Sequence, residues 1–162
     1  MSGSDVSIVA FGRPECDDAQ SHVLSTAAAL GAATRLVTSS EDEDFSSMDH
    51  GSIDWRDSLD GAHWFVTSAS TAIEGEAARF AWGAGMTFGE LEGVRTVMIA
   101  DLPEDHSRLA ECWGAVIERI RQITFCSSTR RRSAPSLSWK GSTNLICCTG
   151  SVCEDSYLTS AP

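Results

Sequence analysis

An α/β fold, with a mostly parallel sheet flanked by helices, follows from three features of the 162-residue sequence. Short β-prone runs recur along it, helical stripes fall between them, and glycines stand where helices should stop. Residues 6–11 (Val-Ser-Ile-Val-Ala-Phe) predict a first buried strand, closed by Gly12 and Pro14. Residues 18–30 predict a helix with Val23, Leu24, Ala27, Ala28 and Leu30 on one stripe and Gly31 as its C-terminal cap. Residues 34–38 predict a second strand, and the acidic, aperiodic residues 39–50 a solvated loop.

Residues 54–59 predict one helical turn, and residues 63–67 (His-Trp-Phe-Val-Thr) a third strand rich in aromatic and β-branched side chains. A helix follows over residues 74–82 with Ala77, Phe80 and Ala81 inward; interior Gly83, Gly85 and Gly89 oppose its extension toward Leu91, at about 1 kcal/mol each. Residues 94–100 predict a fourth strand ending at Asp101. Over residues 107–121 the positions Leu109, Cys112, Trp113, Val116, Ile117 and Ile120 form an amphipathic stripe, with Trp113 read as core. Residues 123–126 predict a last strand. Residues 127–162, rich in Ser, Arg and Cys and without a period, predict an irregular or disordered tail.

The composition, 42% hydrophobic and 22% charged, predicts a folded chain rather than a disordered one. Residues 1–126 hold 21 acids against 8 bases, so neither a phosphate backbone nor an anionic lipid surface is an expected partner. No basic and apolar leader opens the chain, and no apolar run approaches the roughly 20 residues of a membrane span. The six cysteines are therefore expected as reduced thiols in a cytoplasmic protein. Four histidines are scattered, and Cys147, Cys148 and Cys153 match no zinc spacing, so no metal site is expected. The sole lysine, Lys140, lies in no Gly-x-x-x-x-Gly-Lys loop, which excludes a conventional P-loop ATPase.

Three stretches carry a family likeness. Residues 27–38 read Ala-Ala-Ala-Leu-Gly-Ala-Ala-Thr-Arg-Leu-Val-Thr; Asp54-Trp55 leads to Asp60-Gly61-Ala62-His63-Trp64-Phe65; and Asp101-Leu102-Pro103 precedes the Trp113 helix and the Ile123 strand. In this order they resemble the PfkB, or ribokinase-like, carbohydrate kinases, nearest the 2-keto-3-deoxygluconate kinase branch. The resemblance covers most of residues 1–126. It implies a partial ribokinase-like domain with a Rossmann-like sheet, ATP and Mg2+ as cofactors, and a sugar or keto-sugar acid as substrate.

The chain also departs from that family. The paired glycines of its sugar loop fall on Asp17 and Asp18 and its asparagine on His22; Pro103 and Asp105 replace an asparagine and an arginine; few residues separate Phe45 from Asp54, where the family carries its lid. Gly83-Ala84-Gly85-Met86 resembles the family's Gly-Ala-Gly-Asp anion hole, with Met86 where the proton-accepting acid stands. A thioether cannot take that proton.

The resemblance thus implies a shortened kinase with phosphoryl transfer lost or severely weakened. It assigns no catalytic residue, Asp101 and His22 to substrate, and Gly83 and Gly85 to phosphate. Beside these stand plainer readings: a turn or helix cap for Asp101 ahead of Pro103, and an ordinary glycine turn for Gly83 and Gly85. A non-catalytic module that pairs with itself or another protein, and a poorly folded remnant, are the alternatives for the whole chain.

Overall fold

The computed structural model describes residues 6–14, 18–40, 43–101, 103 and 105–129, and the backbone of Thr143–Cys147. Strands β1 (Ser7–Phe11), β2 (Ala33–Val37), β3 (Trp64–Ser68), β4 (Arg95–Ala100), β5 (Phe125–Thr129) and β6 (Thr143–Cys147) form one sheet in the order β2-β1-β3-β4-β5-β6. The first five run parallel, and β6 adds antiparallel to β5. Four helices connect them: α1 (Ala19–Ala29), α2 (Trp55–Leu59), α3 (Glu76–Leu91) and α4 (Leu109–Glu118). The expected α/β architecture is what forms. Two details differ at its end: β5 runs past residue 126, and residues 143–147, expected to be irregular, join the sheet.

Strand alternation divides the core in two. Val9, Phe11, Phe65, Met98 and Ala100 point to the face covered by α2, α3 and α4. Ala10, Val66 and Ile99 point to the other, where they meet Leu24 of α1. On the first face Phe11 packs at a tilt against Phe45 and edge-on against Trp55, and Trp55 meets Phe65 edge-on at 5.8 Å.

The local stops are chemical. Asp18 caps α1 by accepting the Ser21 N–H at 2.8 Å, and Asp54 caps α2 by accepting the Asp57 N–H at 3.0 Å. Gly31, Gly61 and Gly93 all take positive φ between elements, the conformation glycine adopts without a Cβ penalty.

Four expectations need correction. α3 runs unbroken through Gly83, Gly85 and Gly89, because close packing outweighs glycine's propensity cost. A Cβ on Gly85 would lie 2.7 Å from the Trp55 ring. The acidic stretch at residues 39–50 is not simply solvated, since Phe45 and Met48 are buried in the core, Phe45 from a 3-10 turn. On α1 the expected stripe is largely outside: only Gln20 and Leu24 are buried, and Leu30 is 79% exposed. Trp113 (45%) and Ile117 (66%) of α4, Ile120 (44%) just past its end and Phe80 of α3 are exposed, while Cys112, Ala115 and Val116 of α4 and Ala78, Ala81, Trp82 and Met86 of α3 pack inward.

Candidate functional site

In this sheet order the chain leaves β1 for β2 on one side and returns to β3 on the other. The carboxyl ends of β1 and β3 therefore flank a topological switch point, where open α/β sheets bind ligands. Polar side chains from four segments converge there.

Ser68 ends β3 and is followed by Ala69, Ser70 and Thr71; Asp101 follows β4; Gln20 enters from the first turn of α1; Arg13 and Glu74 come from the loops after β1 and β3. Gln20 Nε2 donates to Ser68 Oγ at 2.9 Å and to Thr71 Oγ1 at 2.7 Å. Ser68 Oγ lies 2.9 Å from both Ser70 Oγ and Thr71 Oγ1. Asp101 accepts the Ser70 N–H at 3.0 Å and also the Ser70 hydroxyl. Arg13 pairs with Glu74. Gly12 lets the chain turn beside this network: a Cβ there would approach Gln20 Nε2 to 3.3 Å and Asp18 Oδ2 to 3.5 Å.

Electrostatically the site is acidic. Burial raises the Glu74 pKa; Arg13 opposes that, and the charges of Asp18 and Asp101 add to it. Burial, followed by the charges of Asp101 and Glu111, pushes the Cys112 thiol up to about 11, so it is not a thiolate nucleophile at neutral pH. Its Sγ lies 3.8 Å from the Asp101 carbonyl oxygen.

Of the residues singled out in the sequence, only Asp101 lies in this network. It spans two strand ends by capping the Ser70 turn. His22 sits on the exposed side of α1, two residues from Gln20 and so across the helix from it. Gly83 and Gly85 lie inside α3, where their N–H groups serve the helix. A Cβ on Gly83 would come 3.0 Å from the Arg119 guanidinium, and Gly85 backs onto Trp55 and Phe65, so neither forms a phosphate-binding loop.

Gln20, Ser68, Ser70, Thr71, Arg13 and Glu74 were missed. The strand-end rule that marks Asp101 also marks residues 68–71, whereas nothing local marks Gln20. A surface depression away from this network, ahead of β3 and β4, is lined by Asp54, Arg56, Asp57, Asp60 and Glu92. It is shallow, and its charged side chains are spent on one another, Arg56 on Glu92 at 3.4 Å and Asp54 on the Asp57 N–H at 3.0 Å, so it is the weaker candidate.

No protein-family model and no curated protein sequence matches the chain. Among solved structures, it resembles 2-dehydro-3-deoxygluconokinase from Thermotoga maritima, with a TM-score of 0.59 and 14% identity over 81% of this chain and 73% of that one. A likeness at that identity establishes a distant kinase-like fold.

Proposed function

We propose that the chain is a shortened sugar-kinase-like protein that binds a small hydroxylated ligand, of the sugar class, at the switch point between β1 and β3, with phosphoryl transfer lost or severely weakened. The observation that carries this reading is the hydrogen-bonded set of Gln20, Ser68, Ser70, Thr71 and Asp101 at the strand ends. Amides, hydroxyls and carboxylates are the groups that recognise ligand hydroxyls. The kinase-like fold supports the same class of ligand.

The described residues do not fit ATP at this site. Gly83 and Gly85 spend their N–H groups inside α3, and the carboxylates of Asp18, Glu74 and Asp101 repel phosphate around an Arg13 already paired with Glu74. These side chains offer a transferring phosphoryl group neither a cradle nor a free cation.

The test is a thermal melt of the full chain against a panel of sugars and polyols, with and without Mg-ATP, together with an assay of ADP release. A ligand at 100 times its Kd adds about 2.7 kcal/mol, which a melt resolves readily. The expected result is a midpoint raised by at least one sugar, unchanged by Mg-ATP, and no sugar-dependent ADP release. Release of ADP would refute the loss of catalysis; a melt indifferent to every sugar would refute the binding site.

A second reading, an interaction module, is favoured by the exposed Trp113 and Ile117 on α4 and Ile120 just past its end. Light scattering of wild type and Ile117→Lys would distinguish it: a dimer that becomes monomeric supports pairing, and a monomer in both opposes self-association.

A further inference from the structure

We propose that the open part of the sheet on the α1 side is an interface between two copies of this chain, in which the α1 of each copy lies over β4 and β5 of the other. This surface is separate from the strand-end site and from the outer side of α4, and depends on neither.

Topology leaves the place open. The chain steps from β1 to β2 in one direction and from β2 through β3 and β4 to β5 in the other, so right-handed crossovers put α1 on one face and α2, α3 and α4 on the opposite one. α1 lies over β2, β1 and the near side of β3. Beyond it, strand alternation turns Trp64, Arg95, Val97 and Phe125 to the same face, where Arg95 is exposed and the other three are half-buried. The Trp64 and Phe125 rings meet at 5.5 Å, and the Arg95 guanidinium lies over Trp64 at 5.3 Å. The next described element after β5 is the antiparallel β6, not a helix. α1 thus stands as a ridge beside a trough floored by β4 and β5. Two strand spacings, about 10 Å, make that trough as wide as one helix.

The ridge matches the trough in shape and in charge. With two copies set face to face about a two-fold axis parallel to the strands, each α1 drops into the trough of the other, an isologous contact whose surface is its own complement. Val23, Ala27 and Leu30 recur at i, i+4 and i+7 on α1, with Val23 and Leu30 exposed, and no acid, lysine or arginine falls within Ala19–Ala29. In a chain of net charge −11 such a stretch lets two copies approach without opposing like charges, and interface cores are depleted of charge in the same way. α1 runs opposite to the strands, so its carboxyl end falls over the strand starts of the other copy, where Arg95 opens β4. That end is the negative pole of the helix, and its last turn holds no basic residue. Arg95 has no carboxylate partner among the described residues. Each copy supplies the cation that the other's helix lacks.

The experiment is light scattering of the full chain across micromolar concentrations, for wild type, Val23→Glu, Arg95→Glu, Arg95→Lys and Ile117→Lys, each checked for wild-type helix content by circular dichroism. Wild type is expected to be a dimer. Val23→Glu sets a carboxylate against the apolar floor of the other trough, twice in each dimer, and should leave a monomer. Arg95→Glu should raise the dimer Kd about tenfold, roughly 1.4 kcal/mol, while Arg95→Lys, which keeps the cation, should stay near wild type. Ile117→Lys should leave the dimer intact. A monomeric wild type would overturn the inference and give the trough to another occupant. A dimer unchanged by both Val23→Glu and Arg95→Glu would overturn it as well, and one broken by Ile117→Lys alone would move the pairing to α4. All of these outcomes leave the sugar-binding reading as it was, because that reading rests on other residues and is scored by the melt.

Discussion

On one face of the sheet Phe11, Phe65 and Met98 lie under three helices, among Trp55, Trp82, Met86 and Val116, in a continuous apolar cluster. On the other, Ala10, Val66 and Ile99 are buried with a single helical residue, Leu24, while Ile8, Leu36 and Val97 are only partly covered. The difference teaches that an apolar stripe on a helix does not say how much of it will be used. α1 carries Val23, Leu24, Ala27 and Ala28, yet of these only Leu24 is buried, and Val23 and Leu30 stay outside. Burial is decided by the number of elements that arrive, and among the described residues one helix arrives on the α1 side.

Substitutions across the sheet should measure that asymmetry. Phe65→Ala, on the thick face, should cost about 3–5 kcal/mol in denaturant unfolding, because no surrounding group can close the hole left among packed rings. Leu24→Ala should cost about 2 kcal/mol, the low end for leucine, since the thin face can relax and admit water. Equal losses at the two positions would break the comparison.

Gly85→Ala tests the thick face from the opposite direction. The added methyl meets Trp55 at 2.7 Å and Phe65 at 3.0 Å, and the strain should outweigh the gain in helix propensity, for a net loss of about 1–3 kcal/mol. A stabilised variant would mean that the packing around Trp55 yields easily.

At the switch point the effect is a drift with pH rather than a step. Burial raises the folded pKa of Glu74 above its ordinary 4.5, so the folded state holds the proton more tightly than the unfolded chain. Its contribution to stability is therefore greatest below 4.5 and declines as pH rises from there through the folded pKa. The difference in stability between wild type and Glu74→Gln should shift with that sign between acid and neutral pH; a difference flat with pH would mean the carboxyl is not desolvated. The smallest effect belongs outside the sheet altogether. Ile117→Gln, on the exposed side of α4, should change monomer stability by no more than about 0.5 kcal/mol.

What was legible in the sequence was local. The strands around Val9, Phe65 and Val97 are short apolar runs bounded by glycine or polar residues, and the caps at Asp18, Asp54 and Gly31 act within a few residues of themselves. What was not legible is set across the chain. Phe45 is buried because Phe11, far away in sequence, offers it a ring; Gly85 is helical because Trp55 lies against it. The same division runs through the site. Asp101 could be marked from its place at the end of a strand, whereas Gln20 acquires its role from Ser68 and Thr71, 48 and 51 residues onward. An amide on a helix carries no local sign of such partners.

The tryptophans extend the contrast into optics. Trp55 and Trp82 are almost wholly buried, and their indole Nε1 atoms meet no acceptor among the described residues, while Trp113 stands in solvent on α4. An indole in an apolar, unrelaxing shell emits at shorter wavelength than one facing mobile water. The intrinsic emission of the folded chain is therefore a composite. Loosening of the thick face should move its blue component to the red, and a partner settling on α4 should move the red component to the blue, so that one spectrum distinguishes two events by the sign of its shift.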